Sequence, residues 1–117
     1  MLERKYYYNG NLWVERPYKN DKIESIEKRY DENGKLRLES SVLNNLLHGD
    51  MRFYTEDKKL LTLIKTQGGK FISAKCFNDK ALTNKDLEEA DKLKSISQAI
   101  KYLQEICLTK WYQIDFD

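Results

Sequence analysis

Over most of the first 80 residues, apolar and polar positions alternate with period two, and pairs of turn residues break the alternation at regular intervals. The stretch Tyr30 to Gly49 sets the pattern. Asn33-Gly34 is followed by Leu36, Leu38 and Val42, then a second turn pair, Asn44-Asn45, and a new run from Leu47. Period two is the strand signal, and Asn-Gly between such runs is the strongest short hairpin signal. A shift of 24 residues towards the N-terminus reproduces it with Tyr6, Asn9-Gly10, Leu12, Glu15, Tyr18 and Asn20. A shift the other way finds Tyr54, Asp57-Lys58 and Leu60, with the motif fading. The pattern predicts strands over 3–8, 11–18, 23–31, 35–43, 47–55, 59–66 and 70–77, joined in a meander.

If every loop centres on its turn pair, register follows. One face then carries Leu12, Val14, Tyr18, Ile23, Leu36, Leu38, Val42, Leu47, Met51, Phe53, Leu60, Ile64, Phe71 and Phe77, and this is the expected core. The opposite face carries aromatic and charged residues in the first five strands. In the last two it becomes Leu61, Leu63, Ile72, Ala74 and Cys76, an apolar end that calls for a cover.

After Lys80 the period changes to that of a helix. Thr83 or Asn84 can cap it, and Asp86, Glu88 and Glu89 suit its positive end. Ile96, Ala99, Ile100, Leu103, Ile106, Cys107 and Trp111 make a second apolar stripe, with either a break or a kink near Lys94-Ser95. Leu103 is expected to anchor this helix on the apolar sheet end marked by Leu63 and Ile72. The tail 111–117 reads as a short strand or a docked end.

The repeat resembles the MORN-variant repeat, through Tyr7, Asn9, Gly10, Leu12, Glu15, Tyr18 and Asn20 in one copy. In the next, the residues are Tyr30, Asn33, Gly34, Leu36, Glu39, Asn44, His48 and Gly49. Glu24-Ser25 stands where His-Gly is usual. The resemblance implies consecutive β-hairpins in an elongated twisted sheet, no agreed catalytic residues, and a bacterial interaction protein of the kind often assigned as an antitoxin or immunity protein.

Composition narrows the picture further. The 117 residues suit one folded unit, with 34% charged and 40% apolar residues and a net charge of +2. Residues 1–82 hold 16 basic against 12 acidic side chains, and 83–117 hold 5 against 7, too even a balance to argue for nucleic acid. No stretch approaches a membrane span, and the first residues lack a signal peptide's apolar run, so a cytoplasmic protein is expected. Cys76 and Cys107 match no metal spacing and read as buried, reduced thiols.

Candidate chemistry is sparse. His48 is the single histidine and occupies a turn position of the repeat; Glu15 and Glu39 share a face, but Lys28 lies opposite Glu39 and accounts for it as a cross-strand ion pair. No enzymatic activity, cofactor or metal is expected. The aromatic and charged face remains: Tyr6, Tyr8, Trp13, Tyr30, Arg37, Arg52 and Tyr54 are the residue types that dominate interface energetics. Trp13 and Tyr6 are expected to be cross-strand neighbours, with Arg37 beside Tyr30. As surface residues, Trp13 and Arg37 should be removable together for about 1 kcal/mol or less. The sequence thus specifies an α+β protein: an antiparallel meander of about seven strands in 1–80, and a helical segment, 81–117, packed on it. Its expected function is non-catalytic binding of a protein partner, a toxin in the finer reading. The alternatives are a single-strand nucleic-acid or RNA module, and a self-assembling structural repeat.

Overall fold

The computed structural model describes residues 1–93 and 95–109; Lys94, Trp111 and the rest of the tail lie outside them. The strands are β1 (Leu2–Tyr6), β2 (Leu12–Lys19), β3 (Lys22–Ile23), β4 (Ser25–Tyr30), β5 (Leu36–Leu43), β6 (Leu46–Tyr54), β7 (Leu60–Gln67) and β8 (Lys70–Cys76). They form one antiparallel sheet in the order β1-β2-β4-β5-β6-β7-β8, with β3 paired to β2. The meander is as expected, its third strand divided at Glu24-Ser25 into β3 and β4.

Two turn types alternate, each with the 24-residue period. At Asn20-Asp21, Asn44-Asn45 and Gly68-Gly69 both central residues have positive φ, from 51° to 84°, as a two-residue type I′ hairpin requires. At Tyr7–Asn11, Asp31–Lys35 and Thr55–Lys59 the geometry is different. Gly10 N donates to Tyr7 O, Gly34 N to Asp31 O and Lys58 N to Thr55 O. Within each, only the third loop residue, Gly10 (φ 90°), Gly34 (φ 82°) or Lys58 (φ 67°), has positive φ. These are type I turns followed by a bulge residue, so Asn9-Gly10 and Asn33-Gly34 are not the two-residue turns read from the sequence.

That bulge changes the faces. Register slips at Lys5/Tyr6, at Arg29/Tyr30 and at Phe53/Tyr54, again 24 residues apart. Tyr6 pairs Leu12, Tyr30 pairs Leu36 and Tyr54 pairs Leu60, leaving Trp13, Arg37 and Leu61 as the extra residues. Leu60, expected in the core, is 39% exposed, whereas Leu61 is 0% exposed. Phe77 is likewise exposed, and Ala74 and Cys76 join the core through a further register shift at Lys65/Thr66.

The C-terminal segment forms two helices, not one kinked helix: α1 (Asn84–Asp91) and α2 (Ile96–Gln104), the second continued by a π-helical turn, Glu105–Thr109. Thr83 and Asp86 close a reciprocal capping box on α1, and Ser95 Oγ accepts from Gln98 N at the start of α2. Leu87, Ile100, Leu103 and Ile106 join Leu38, Met51, Phe53, Leu61 and Ile64 in a single core. The helices therefore cover the expected core face over β5–β8, not the opposite face. Ile72, the proposed anchor there, is exposed. One cover serves because the bulge and the late register shift carry Leu61, Ala74 and Cys76 round to the same side.

Cys76 and Cys107 form a disulfide, with Cα atoms 5.5 Å apart. The expectation of reduced thiols is thus overturned: β8 ends and the π-helical turn returns at the same place, a proximity that a 31-residue separation does not reveal. Among the described residues, no helix is long and apolar enough to cross a membrane.

Candidate functional site

The bulge residues decide where a site can form. Leu61 is sealed under the helices, but one repeat earlier the equivalent Arg37 lies at the edge of that cover, and Trp13, a further repeat back, lies beyond it. Between them and α2 runs a cleft of about 830 Å³. Tyr7, Trp13, Arg29, Tyr30 and Arg37 line its sheet side, and Ile96, Ile100 and Lys101 its helix side, with Asp31, Glu32 and Glu56 at the loops.

Hydrogen bonds between successive repeats hold the sheet wall. A bulge leaves a strand carbonyl without its ladder partner, and a side chain of the preceding repeat supplies the donor. Tyr7 Oη donates to Tyr30 O at 2.7 Å, and Arg37 Nε donates to Tyr54 O at 3.0 Å. Arg37 also meets Asp31 Oδ2 at 3.3 Å. At the loop, Asn9 and Asn11 side chains both donate to Glu32 O. Tyr7 packs its ring against Trp13, centroids 5.9 Å apart and tilted by 39°. Burial, helped by Glu32 and Asp31, pushes the Tyr7 hydroxyl above the usual tyrosine range, keeping it a neutral donor.

The cleft thus offers an indole, a tyrosine ring and the apolar flank of α2, with Arg29, Arg37 and Lys101 set against Asp31, Glu32 and Glu56.

The residues expected to bind a partner are divided between two surfaces. Trp13 and Arg37 line the cleft on the helix side. Tyr6 pairs with Leu12, so it is not the neighbour of Trp13; Tyr7 is. Tyr30 pairs with Leu36, and its carbonyl, not Arg37, is the atom tied to the preceding repeat. Tyr54 and Arg52 lie on the opposite face, where Tyr54 Oη donates to Glu39 Oε1 and Arg52 meets Asp50. Burial and the Glu39 bond push the Tyr54 hydroxyl up to about 12. Tyr8 is almost wholly exposed on the first turn. Glu39 does lie opposite Lys28 as expected, but opposite Arg52 as well. Sequence reasoning missed Arg29, Lys101 and the helix wall as cleft residues. It quoted Tyr7 only as part of the repeat, and the equivalent positions Asp31 and Thr55 gave no recurring signal for it.

On the helix side of β1–β4, where no helix lies among the described residues, charge takes over from the core. Arg16 bridges Glu3 and Glu27 at 3.4 Å each, and Arg29 meets Glu27 at 2.8 Å. Burial works against the Arg16 charge, but the two glutamates outweigh it and hold its pKa above the ordinary value. On this same stretch of sheet Val14 is 1% exposed.

Hairpin repeats whose bulges all face the helix side make this sheet a repeat-built scaffold. The family model described as MORN repeat variant matches residues 1–20 and 23–44, and those two stretches are MORN-variant repeats. No curated protein and no solved structure matches it. The structure adds a third copy that the match does not reach: the turn at Thr55–Lys59, the bulge at Leu61 and the type I′ turn at Gly68-Gly69 keep the repeat geometry.

Proposed function

We propose that this protein is a non-catalytic protein-interaction module whose recognition surface is the cleft between the repeat bulges and α2. The observation that supports it is the progression Leu61, Arg37, Trp13 at one backbone position. Where the chain supplies its own helix the position is aliphatic and sealed; where it does not, the position carries the indole and guanidinium types that dominate interface energetics. Holding a toxin on this surface is the finer form of the reading, and it rests on the family resemblance alone. The outer-face residues Tyr6, Arg52 and Tyr54 are the rival surface.

Selection from a displayed random-peptide library tests the proposal. Peptides that bind the wild type should lose retention on Trp13→Ala and on Lys101→Glu, and keep it on Arg52→Ala. Loss on Arg52→Ala with retention on both cleft variants would move recognition to the outer face. Filter binding of mixed oligonucleotides at low and high salt gives the nucleic-acid alternative its own readout, because phosphate contacts weaken steeply with salt.

A further inference from the structure

The sheet has two edges, and they are not equivalent. The C-terminal half of β8 is occupied: Lys75 bridges Ala81, Leu82 N donates to Ala74 O and Cys76 N to Lys80 O. At the other edge, β1 pairs with β2 alone among the described residues, and four of its five residues are exposed. Tyr18 N donates to Met1 O and Tyr7 N to Asn11 O, so the odd-numbered residues turn their backbone groups towards β2. In an antiparallel ladder the alternate residues, Leu2, Arg4 and Tyr6, then point theirs away from the sheet. The extra residue of the first bulge is Trp13, in β2, so β1 itself is a regular strand.

We propose that two copies of this chain pair antiparallel through β1, with Arg4 opposite Arg4 of the second copy. In that register the strand Leu-Glu-Arg-Lys-Tyr is complementary to itself. Leu2 meets Tyr6 of the second copy, and Glu3 meets Lys5, each pair occurring twice. The outward-facing residues Leu2, Arg4 and Tyr6 fall opposite one another, so their free N–H and C=O groups exchange hydrogen bonds. The central pair of arginines is tolerated because each Arg4 Nε lies 3.1 Å from its own Glu15 Oε2. Natural sheets protect open edges with charges that repel a second strand. Here the order of signs makes the same charges attract. With half of the β8 edge covered, the self-complementary contact is isologous and closes as a dimer instead of extending into a fibre.

Sedimentation velocity on the 117-residue chain across a rising concentration series should show a monomer–dimer equilibrium. Lys5→Glu sets Glu3 against a glutamate of the second copy twice over and should weaken the dimer by about tenfold or more. Glu3→Lys combined with Lys5→Glu restores opposite signs and should restore the dimer. Arg4→Pro removes an outward N–H without touching the β1–β2 ladder and should give a folded monomer. A wild type that stays monomeric throughout, a Lys5→Glu variant that dimerises as tightly as wild type, or a double variant that folds without recovering the dimer would each overturn the proposal.

Discussion

The disulfide makes a quantitative claim that the sequence alone does not. Cys76 and Cys107 lie 31 residues apart, and the loop they close contains both helices. In the loop-closure account, reduction acts chiefly by freeing the unfolded chain. For a loop of this length, restored chain entropy lowers stability by about 3.5–4 kcal/mol. With a urea slope of about 2 kcal/mol per molar for a small domain, the unfolding midpoint should fall by about 2 M on reduction. The assay is equilibrium urea unfolding followed by circular dichroism, in air-oxidised protein and in the same protein held in a phosphine reductant. A thiol titration of the denatured, unreduced chain runs alongside. Coincident midpoints in a protein shown to be oxidised would refute the loop argument. Two free thiols in the unreduced chain would mean that the bond does not form, and the reduced-thiol expectation would stand after all.

Three further outcomes follow from the repeat geometry. Ser25 and Gly49 are equivalent positions with φ of 93° and 108°, so Ser25→Gly should raise the melting temperature and add about 0.5–1 kcal/mol. Gly49→Ala should lower it, because the added Cβ would sit 3.2 Å from Ser41 Cβ; the opposite order of melting would refute the strain argument. Arg37 is 13% exposed and holds both the Tyr54 carbonyl and Asp31, so Arg37→Ala should cost about 1–3 kcal/mol in chemical denaturation. Trp13→Ala, at the open end, should cost less, and a neutral Arg37→Ala would mean that the bulge carbonyl needs no donor. Tyr54 titrates at about 12 against an ordinary 10.0. Its folded pKa is raised, so its contribution is intact below pH 10 and is lost as the pH climbs towards 12. Tyr54→Phe should flatten that part of the stability-versus-pH curve, and an unchanged slope would show that other groups set it.

The strand count, the meander and the helical C-terminal segment were legible because period two, period 3.6 and turn residues are local signals. The bulge was not. Asn-Gly fits a two-residue hairpin and a type I turn with a bulge equally well, and what separates them is the backbone of Asn9 and Asn33, not their identity. One extra residue per hairpin was enough to exchange Leu60 for Leu61 in the core and to carry Trp13 and Arg37 from the outer face to the helix side. The disulfide and the helix wall of the cleft are long-range, and depend on a docking that local pattern cannot encode. Tyr6, Tyr8, Arg52 and Tyr54 do stand clear of the helices, as the alternation indicated.

The same slip bears on why, among the described residues, the helices cover one end of the sheet and not the other. Every repeat presents its bulge residue on the helix side at the same height, so the three positions form a row across the sheet: Trp13, Arg37, Leu61. Among the described residues, α2 and its π-helical turn pack on Leu61, the aliphatic member of that row. Arg37, next in the row, is already largely buried, with its charge committed to Asp31 and its Nε to a backbone carbonyl, so it offers a helix little apolar surface. Two repeats on, a helix would meet the Glu3, Arg16 and Glu27 ladder, charges whose further desolvation is costly. Among the described residues, the chemistry of the bulge row thus matches the extent of the helical cover, with the cleft lying beside Trp13.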